Sequence, residues 1–323
     1  MKKVWWILIF YFFNITFCIS QSMKLLSKKE LDALKVTPRK EALKNPSKVI
    51  KLDFSFAKQS ELQYLQKFKN LQYLDLESTN LGKVPLEVFE MKNLQHLNLI
   101  DNQLKEISGK IGNLIYLRTI HLGNNNLITL PKEIGKLQRL EFINFNRGRI
   151  NSFPPEFFQL AKLEEIILQD VGIETLPKDF SKLDALKKVN LGYNPKIDLK
   201  QVLGVLGDLP NLEEIILVGC LIEDMPSEIQ TLKNLKRFYG GNKNLNLMKS
   251  LLLLSKLRKL EFLFLEELNT LPKEIKGLGN LQELQLLFNE TTHQARKEIF
   301  NNLSLLPTLK HLRISGKNFN TIP

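Results

Sequence analysis

Histidine and cysteine are the residues through which this 323-residue chain could most readily hold a metal or attack a substrate. It has four of the first and two of the second. His96 and His121 come closest to a pair. On adjacent strands about 4.8 Å apart, with a rise of about 3.4 Å per residue, their Cα atoms would stand about 8 Å from each other. Asp101 could approach, but no third His or Cys lies near, which makes a poor metal site. The favoured reading is a pair of solvated residues on a strand face, with no metal and no cofactor. The chain has no G-x-x-x-x-G-K-[ST], G-x-S-x-G, H-E-x-x-H or C-x-x-C, so no catalytic residues are assigned and no enzymatic activity is expected. Asn289-Glu-Thr291 and Asn302-Leu-Ser304 match a glycosylation sequon, a pattern short enough to arise by chance.

Charge points to partners only weakly. Basic residues number 46 against 34 acids, a formal net charge of +12. Such a balance can serve nucleic acid, anionic lipid or sulfated glycan. The bases are dense early, at Lys24, Lys28, Lys29, Lys35, Arg39, Lys40, Lys44 and Lys48, and recur at Lys132, Lys136, Lys178, Lys182 and Lys273. A solubilising surface is the default reading. No nucleic acid is expected, and an anionic glycan or membrane surface stands as the alternative partner.

The elements that must position all of these residues are set by a period. Leu71, Leu94, Leu117, Leu140, Leu163 and Leu186 follow one another at intervals of 23 residues, each opening the same phrase. The clearest copy is Leu117-Arg-Thr-Ile120-His-Leu122-Gly-Asn-Asn125-Asn-Leu127-Ile-Thr-Leu130-Pro131-Lys-Glu-Ile134-Gly-Lys-Leu137. A fixed period of this size specifies stacked units. Counted from the first leucine, the fourth and sixth positions are apolar between polar neighbours, the spacing of a strand buried on one face. The eleventh, fourteenth, eighteenth and twenty-first are spaced for tight turns or a short helix. One unit cannot bury this face alone. Each buried Leu or Ile contributes roughly 1.5–3 kcal/mol, which exceeds the ordering cost only when neighbours stack.

The phrase resembles the leucine-rich-repeat family, L-x-x-L-x-L-x-x-N/C-x-L, in the 23-residue form common in bacterial proteins. The resemblance covers nearly everything from Val49 onward. It implies an α/β repeat solenoid, a curved horseshoe with a parallel β-sheet on the concave face and short helices and turns on the convex face. About twelve units are expected over residues 49–323, later ones opening at Leu212, Leu235, Leu260, Leu281 and Leu309 with uneven lengths. Asp198 is placed to cap a helix carrying Leu199, Val202, Leu203 and Leu206, and Thr292 one carrying Ala295, Ile299 and Leu303. At the ninth position the family carries Asn, whose side chain bonds the turn. Asn102, Asn125, Asn194 and Asn289 fit; Thr79, Gly148, Val171, Lys243, Leu268 and Lys317 depart. Cys220 occupies the same position, where the pattern also allows Cys, and reads as a buried structural thiol.

At the start of the chain, Lys2 and Lys3 precede an apolar run from Val4 to Phe13, and the small residues Cys18 and Ser20 precede Gln21. The run is shorter than the roughly 20 residues of a spanning helix. A signal peptide over residues 1–20 is expected, with export to periplasm, cell surface or medium. Cys18 also admits a lipoprotein reading, against which the bulk of Phe17 stands. With residues 1–20 removed, Cys220 is left alone and no intramolecular disulfide can form. Residues 21–48 read as a helical N-terminal cap, with Ser27-Lys-Lys-Glu30 a capping box and Thr37-Pro38 the start of a second short helix. The sequence stops at Pro323 part-way through a unit, so the last strand edge is expected to be uncovered and prone to weak self-association.

In the family's architecture the third, fifth, seventh and eighth positions face out of the concave surface. The fifth column is polar in its first half, at Asp75, Asn98, His121 and Asn144. From Ile167 onward it carries Ile216, Tyr239 and Phe264. Phe262, Val218 and Leu287, and Tyr193 and Phe288, join from the third, seventh and eighth positions. A contiguous apolar patch of this kind marks an interaction site, and Tyr and Phe suit binding hot spots. A protein partner on the concave face is the expected function. The alternative is an adhesin that binds anionic glycan or lipid headgroups through the basic exterior.

Overall fold

A computed structural model describes residues 24–317. The expected leader over residues 1–20 lies outside the described residues, as do residues 318–323. Among the described residues, twelve strands form one open sheet in strict chain order, every pair parallel. The strands are β1 (Lys51–Asp53), β2 (Tyr73–Asp75), β3 (His96–Asn98), β4 (Thr119–His121), β5 (Phe142–Asn144), β6 (Glu165–Ile167), β7 (Lys188–Asn190), β8 (Glu214–Ile216), β9 (Arg237–Gly240), β10 (Phe262–Leu268), β11 (Glu283–Phe288) and β12 (His311–Gly316). Six α-helices accompany them among the described residues: α1 (Lys28–Ala33), α2 (Arg39–Ala42), α3 (Gln59–Leu62), α4 (Leu199–Leu206), α5 (Leu247–Leu254) and α6 (His293–Leu303). The regular units return through 3-10 turns, such as Lys132–Lys136 after Pro131, because a five-residue span closes the unit more tightly than an α-helix could.

The fourth position makes the core column. Leu52, Leu74, Leu97, Ile120, Ile143, Ile166, Val189, Ile215, Phe238, Leu263 and Leu284 lie opposite one another from strand to strand, and all are inaccessible to solvent. Leu312 on β12 continues the column but is 44% exposed, since among the described residues a strand flanks it on the β11 side alone. Both expected helix caps are present. Asp198 accepts from the Gln201 N–H at the start of α4, and Thr292 from the Ala295 N–H at the start of α6. A third long unit carries α5, capped by Asn246, which the sequence reading did not assign.

The asparagine ladder is built at three of the four expected residues, Asn102, Asn125 and Asn194. Asn102 accepts from Thr79 and Leu81 N–H groups and donates to Leu76 O; Asn125 and Asn194 each make the same bonds to the unit before their own. Cys220 is fully buried, and its thiol donates to Leu191 O. Two assignments are corrected. Asn289 is exposed on the outer side of its turn, donating to Glu267 O, and is no ladder residue. In the unit from Leu235 the ladder residue is Asn242, buried and donating to Cys220 O and Ile222 O, while Lys243 is exposed. The cause is Gly241, whose φ of +116° makes the turn one residue early.

The cap segment is sewn across three strands. Ser27 and Glu30 form the expected capping box. Thr37 bridges to Leu52 on β1, the Leu26 N–H donates to Gln72 Oε1, and Gln95 Nε2 donates to Leu26 O. Among the described residues no helix is long and apolar enough to cross a membrane.

Candidate functional site

The sheet register puts Ile167, Asn190, Ile216, Tyr239, Phe264 and Gln285 side by side on successive strands. Ile167, Ile216, Tyr239 and Phe264 are each partly exposed. Val218, two residues past β8, is partly exposed, and Leu287 is 37% exposed. The Tyr239 ring lies 6.3 Å from that of Phe264 and 4.6 Å from that of Phe262. Arg237 fixes the cluster. Its guanidinium sits 3.9 Å from the Phe262 centroid and donates to the Tyr239 hydroxyl from Nη2 at 2.7 Å.

Two expected patch members are elsewhere. Phe262 is 2% exposed, shielded by Arg237 and Tyr239, so it supports the patch from beneath. Phe288 belongs to the hydrophobic core. A register shift after Leu265 sets Phe288 opposite Leu268 and turns its ring inward, off the concave surface. Tyr193 is half exposed in a left-handed turn (φ 57°), with its ring over Gly219, and flanks the cluster. Glu266 reaches back to Gly219 and accepts its N–H at 2.8 Å; burial pushes this carboxyl above the usual range, against the lowering effect of that bond.

The concave surface of the first units is not the polar, solvated face that the fifth column suggested. Four rings form a row across β2 to β5: Tyr73 stacks on His96 at 4.1 Å, and His96 meets His121 at 5.2 Å and His121 meets Phe142 at 4.9 Å, both tilted. Both histidines are only partly exposed, packed between neighbouring rings on the strand face. Burial, with the charges of His121 and Lys51 adding to it, holds His96 down to about 3, and burial likewise lowers His121. Both are neutral at neutral pH. No group of three or more His, Cys, Asp or Glu suited to a metal ion exists among the described residues. The sequence brings His96 beside His121 but does not extend the row to Tyr73 and Phe142, because the rings come from both the third and the fifth positions.

Family models decide what this architecture is. One for a leucine-rich repeat region matches residues 108–218, and a second for the leucine-rich repeat matches residues 69–127. Across residues 69–218 the chain belongs to the leucine-rich-repeat family. No curated protein matches the sequence. Among solved structures, this leucine-rich-repeat chain is similar to the repeat domain of the type III effector XopL, with 22% identity, a TM-score of 0.51 and 79% of each chain covered. It is also similar to the internalin InlF of Listeria monocytogenes, with 18% identity, a TM-score of 0.48, and 88% of this chain and 92% of that one covered. A leucine-rich-repeat protein of Leptospira interrogans matches at 24% identity with a TM-score of 0.42, over 85% of this chain and 99% of that one. At these identities the likeness concerns the fold. Leucine-rich-repeat domains are, as a class, protein–protein interaction modules.

Proposed function

We propose that this protein is an exported, non-enzymatic module that holds a protein partner on its concave face, centred on Ile216, Tyr239 and Phe264. The observation that carries the reading is the cluster itself. Large side chains stand partly exposed on consecutive strands, outside the leucine column, with Arg237 locking the tyrosine hydroxyl. Such preordered aromatic area loses little entropy on binding. Ile167, Val218, Leu287 and Tyr193 surround it as the rim.

The test is a Tyr239→Ala, Phe264→Ala double variant, used with the wild type as bait in affinity capture and then in titration against the captured protein. The double variant is expected to keep the wild-type melting temperature and lose on the order of 2 kcal/mol or more of binding. Binding should fall little with added salt, unlike a contact made through the basic exterior. Unchanged affinity in a folded double variant would place the binding face elsewhere. Export rests on the run from Lys2 to Ser20. Mass spectrometry of the native protein should find Gln21 at or near the N-terminus; an intact Met1 in a cytosolic fraction would overturn it, and a diacylated Cys18 would make the protein a lipoprotein.

A further inference from the structure

At the N-terminal end of the concave face a groove of about 340 Å³ runs beneath α1. Lys28, Leu31 and Asp32 form its wall, and Tyr73, His96, Thr119, His121 and Phe142 its floor. It continues to Glu165 on β6, so it crosses five strands, a length on the order of 19 Å at about 4.8 Å per strand. Its floor rings, on β2 to β5, are separate from Ile216, Tyr239 and Phe264 on β8 to β10.

The floor rings limit what can bind. Tyr73 and His96 are parallel within 2° at 4.1 Å, so nothing fits between them and a ligand meets their edges. Those edges carry hydrogen-bonding atoms. His96 Nδ1 is already engaged with Thr119 Oγ1, which leaves Nε2. Burial, reinforced by the Asp75 and Asp53 carboxylates, holds the Tyr73 hydroxyl up at about 12, so it stays protonated. A neutral imidazole and a phenol each both donate and accept. Phe142 is tilted 43° from His121 and partly exposed, offering apolar surface at the end of the row.

Charge is nearly balanced along the groove. Arg118 pairs with Glu141 at 3.5 Å, Lys187 with Glu164 at 2.9 Å, and Lys188 with Glu165 at 3.1 Å. Lys28 and Asp32 on α1 offset each other. A nucleotide or a strongly basic peptide gains little from such a lining, although the whole chain has a net charge of +12. An extended peptide also gains little from the sheet. Strands β2 to β5 are hydrogen-bonded on both sides, so no backbone edge is open for strand addition.

Amphoteric neutral hydrogen-bonding groups in a row, beside an apolar ring and within a balanced rim, suit hydroxyl groups. We infer that this groove binds a neutral saccharide, whose hydroxyls bond Tyr73, His96, His121 and Asp32 while Phe142 covers an apolar sugar face.

The experiment is saturation-transfer difference NMR of the purified protein at neutral pH with maltotriose, cellotriose, chitotriose and mannotriose as probes. At least one trisaccharide should show saturable transfer at millimolar concentration. His121→Ala and Phe142→Ala should weaken it about tenfold or more, Phe142→Tyr should preserve it, and Tyr239→Ala should leave it unchanged. His121→Gln, which retains polarity in the ring's place, serves if the alanine variant melts early. Absence of transfer from all four sugars overturns the inference, as does transfer that survives both folded groove variants. Loss of a protein partner on Phe142→Tyr, without any sugar binding, would reassign the groove as a protein contact.

Discussion

The Cys220 thiol donates to the carbonyl of Leu191 at 3.2 Å, the same backward bond to the preceding unit that Asn125 makes to Leu99 and Asn194 to Leu168. A sulfur thereby completes a ladder otherwise built from amides. Burial raises this thiol above its usual range, which keeps it protonated and unreactive at neutral pH. The native protein should therefore be silent to a thiol reagent such as DTNB and react only when unfolded in urea. Cys220→Ala should cost about 0.5–1.5 kcal/mol, the net worth of one hydrogen bond, because the Leu191 carbonyl keeps the bond it accepts from Asn194 Nδ2. Rapid native labelling would show that the thiol is not held in the stack.

Gly241→Ala should be among the most damaging single-methyl additions. At φ +116° an L side chain is strained, and the new Cβ would meet Glu266 N at 2.8 Å and Glu266 O at 2.9 Å. A loss above about 1 kcal/mol is expected, larger than for Ala at exposed Gly204, where nothing lies within 4 Å. Denaturant melts of the two variants decide it.

Phe262→Ala and Phe288→Ala should each lose about 3 kcal/mol of stability, because both rings are buried. Tyr193→Ala, half exposed, should lose far less and act on binding. Equal melting-temperature shifts for all three would contradict the division between support and surface.

Acid should weaken the fold through the ring column. His96 is held at about 3 when folded against about 6.5 when unfolded. Its folded pKa is depressed, so its contribution is complete above pH 6.5 and is lost as the pH falls from there toward 3. Stability should decline by about 1.4 kcal/mol per pH unit for this histidine within that window. His96→Gln should flatten the decline between pH 6 and 4; an unchanged slope would mean the imidazole is solvated.

Leu122→Asp should abolish cooperative folding, because it places a carboxylate in a fully packed column, whereas Lys132→Asp on an exposed turn should change little. Thermal scans with equal shifts would show that the repeat register is misplaced.

The fold was legible because the pattern is redundant. Each unit repeats the assignment of its neighbour, so Leu74, Leu97 and Ile120 fall opposite one another without any knowledge of the turns. The departures occur where one residue resets the count. Gly241 advances a turn and substitutes Asn242 for Lys243; the shift after Leu265 carries Phe288 into the core. The ring column escaped for another reason. On a concave surface side chains from different positions converge, so Thr119 engages His96 while His121 leans between His96 and Phe142. Distances in sequence do not encode that crowding. Tyr239 and Phe264 were recognisable from bulk and register alone, whereas the hold of Arg237 on both Phe262 and Tyr239 needed coordinates.

The stitching of the cap has a mechanical consequence. Gln72 and Gln95 hold Leu26 while Thr37 rides on β1. A force drawing residue 24 away from the sheet meets bonds to β1, β2 and β3 loaded together, so that end should yield in a single high-force rupture. Traction on β12 loads only its seam with β11 and should unzip the units one after another at low force. Direction of pull, read in an optical trap, should thus split one molecule into a brittle end and a ductile one.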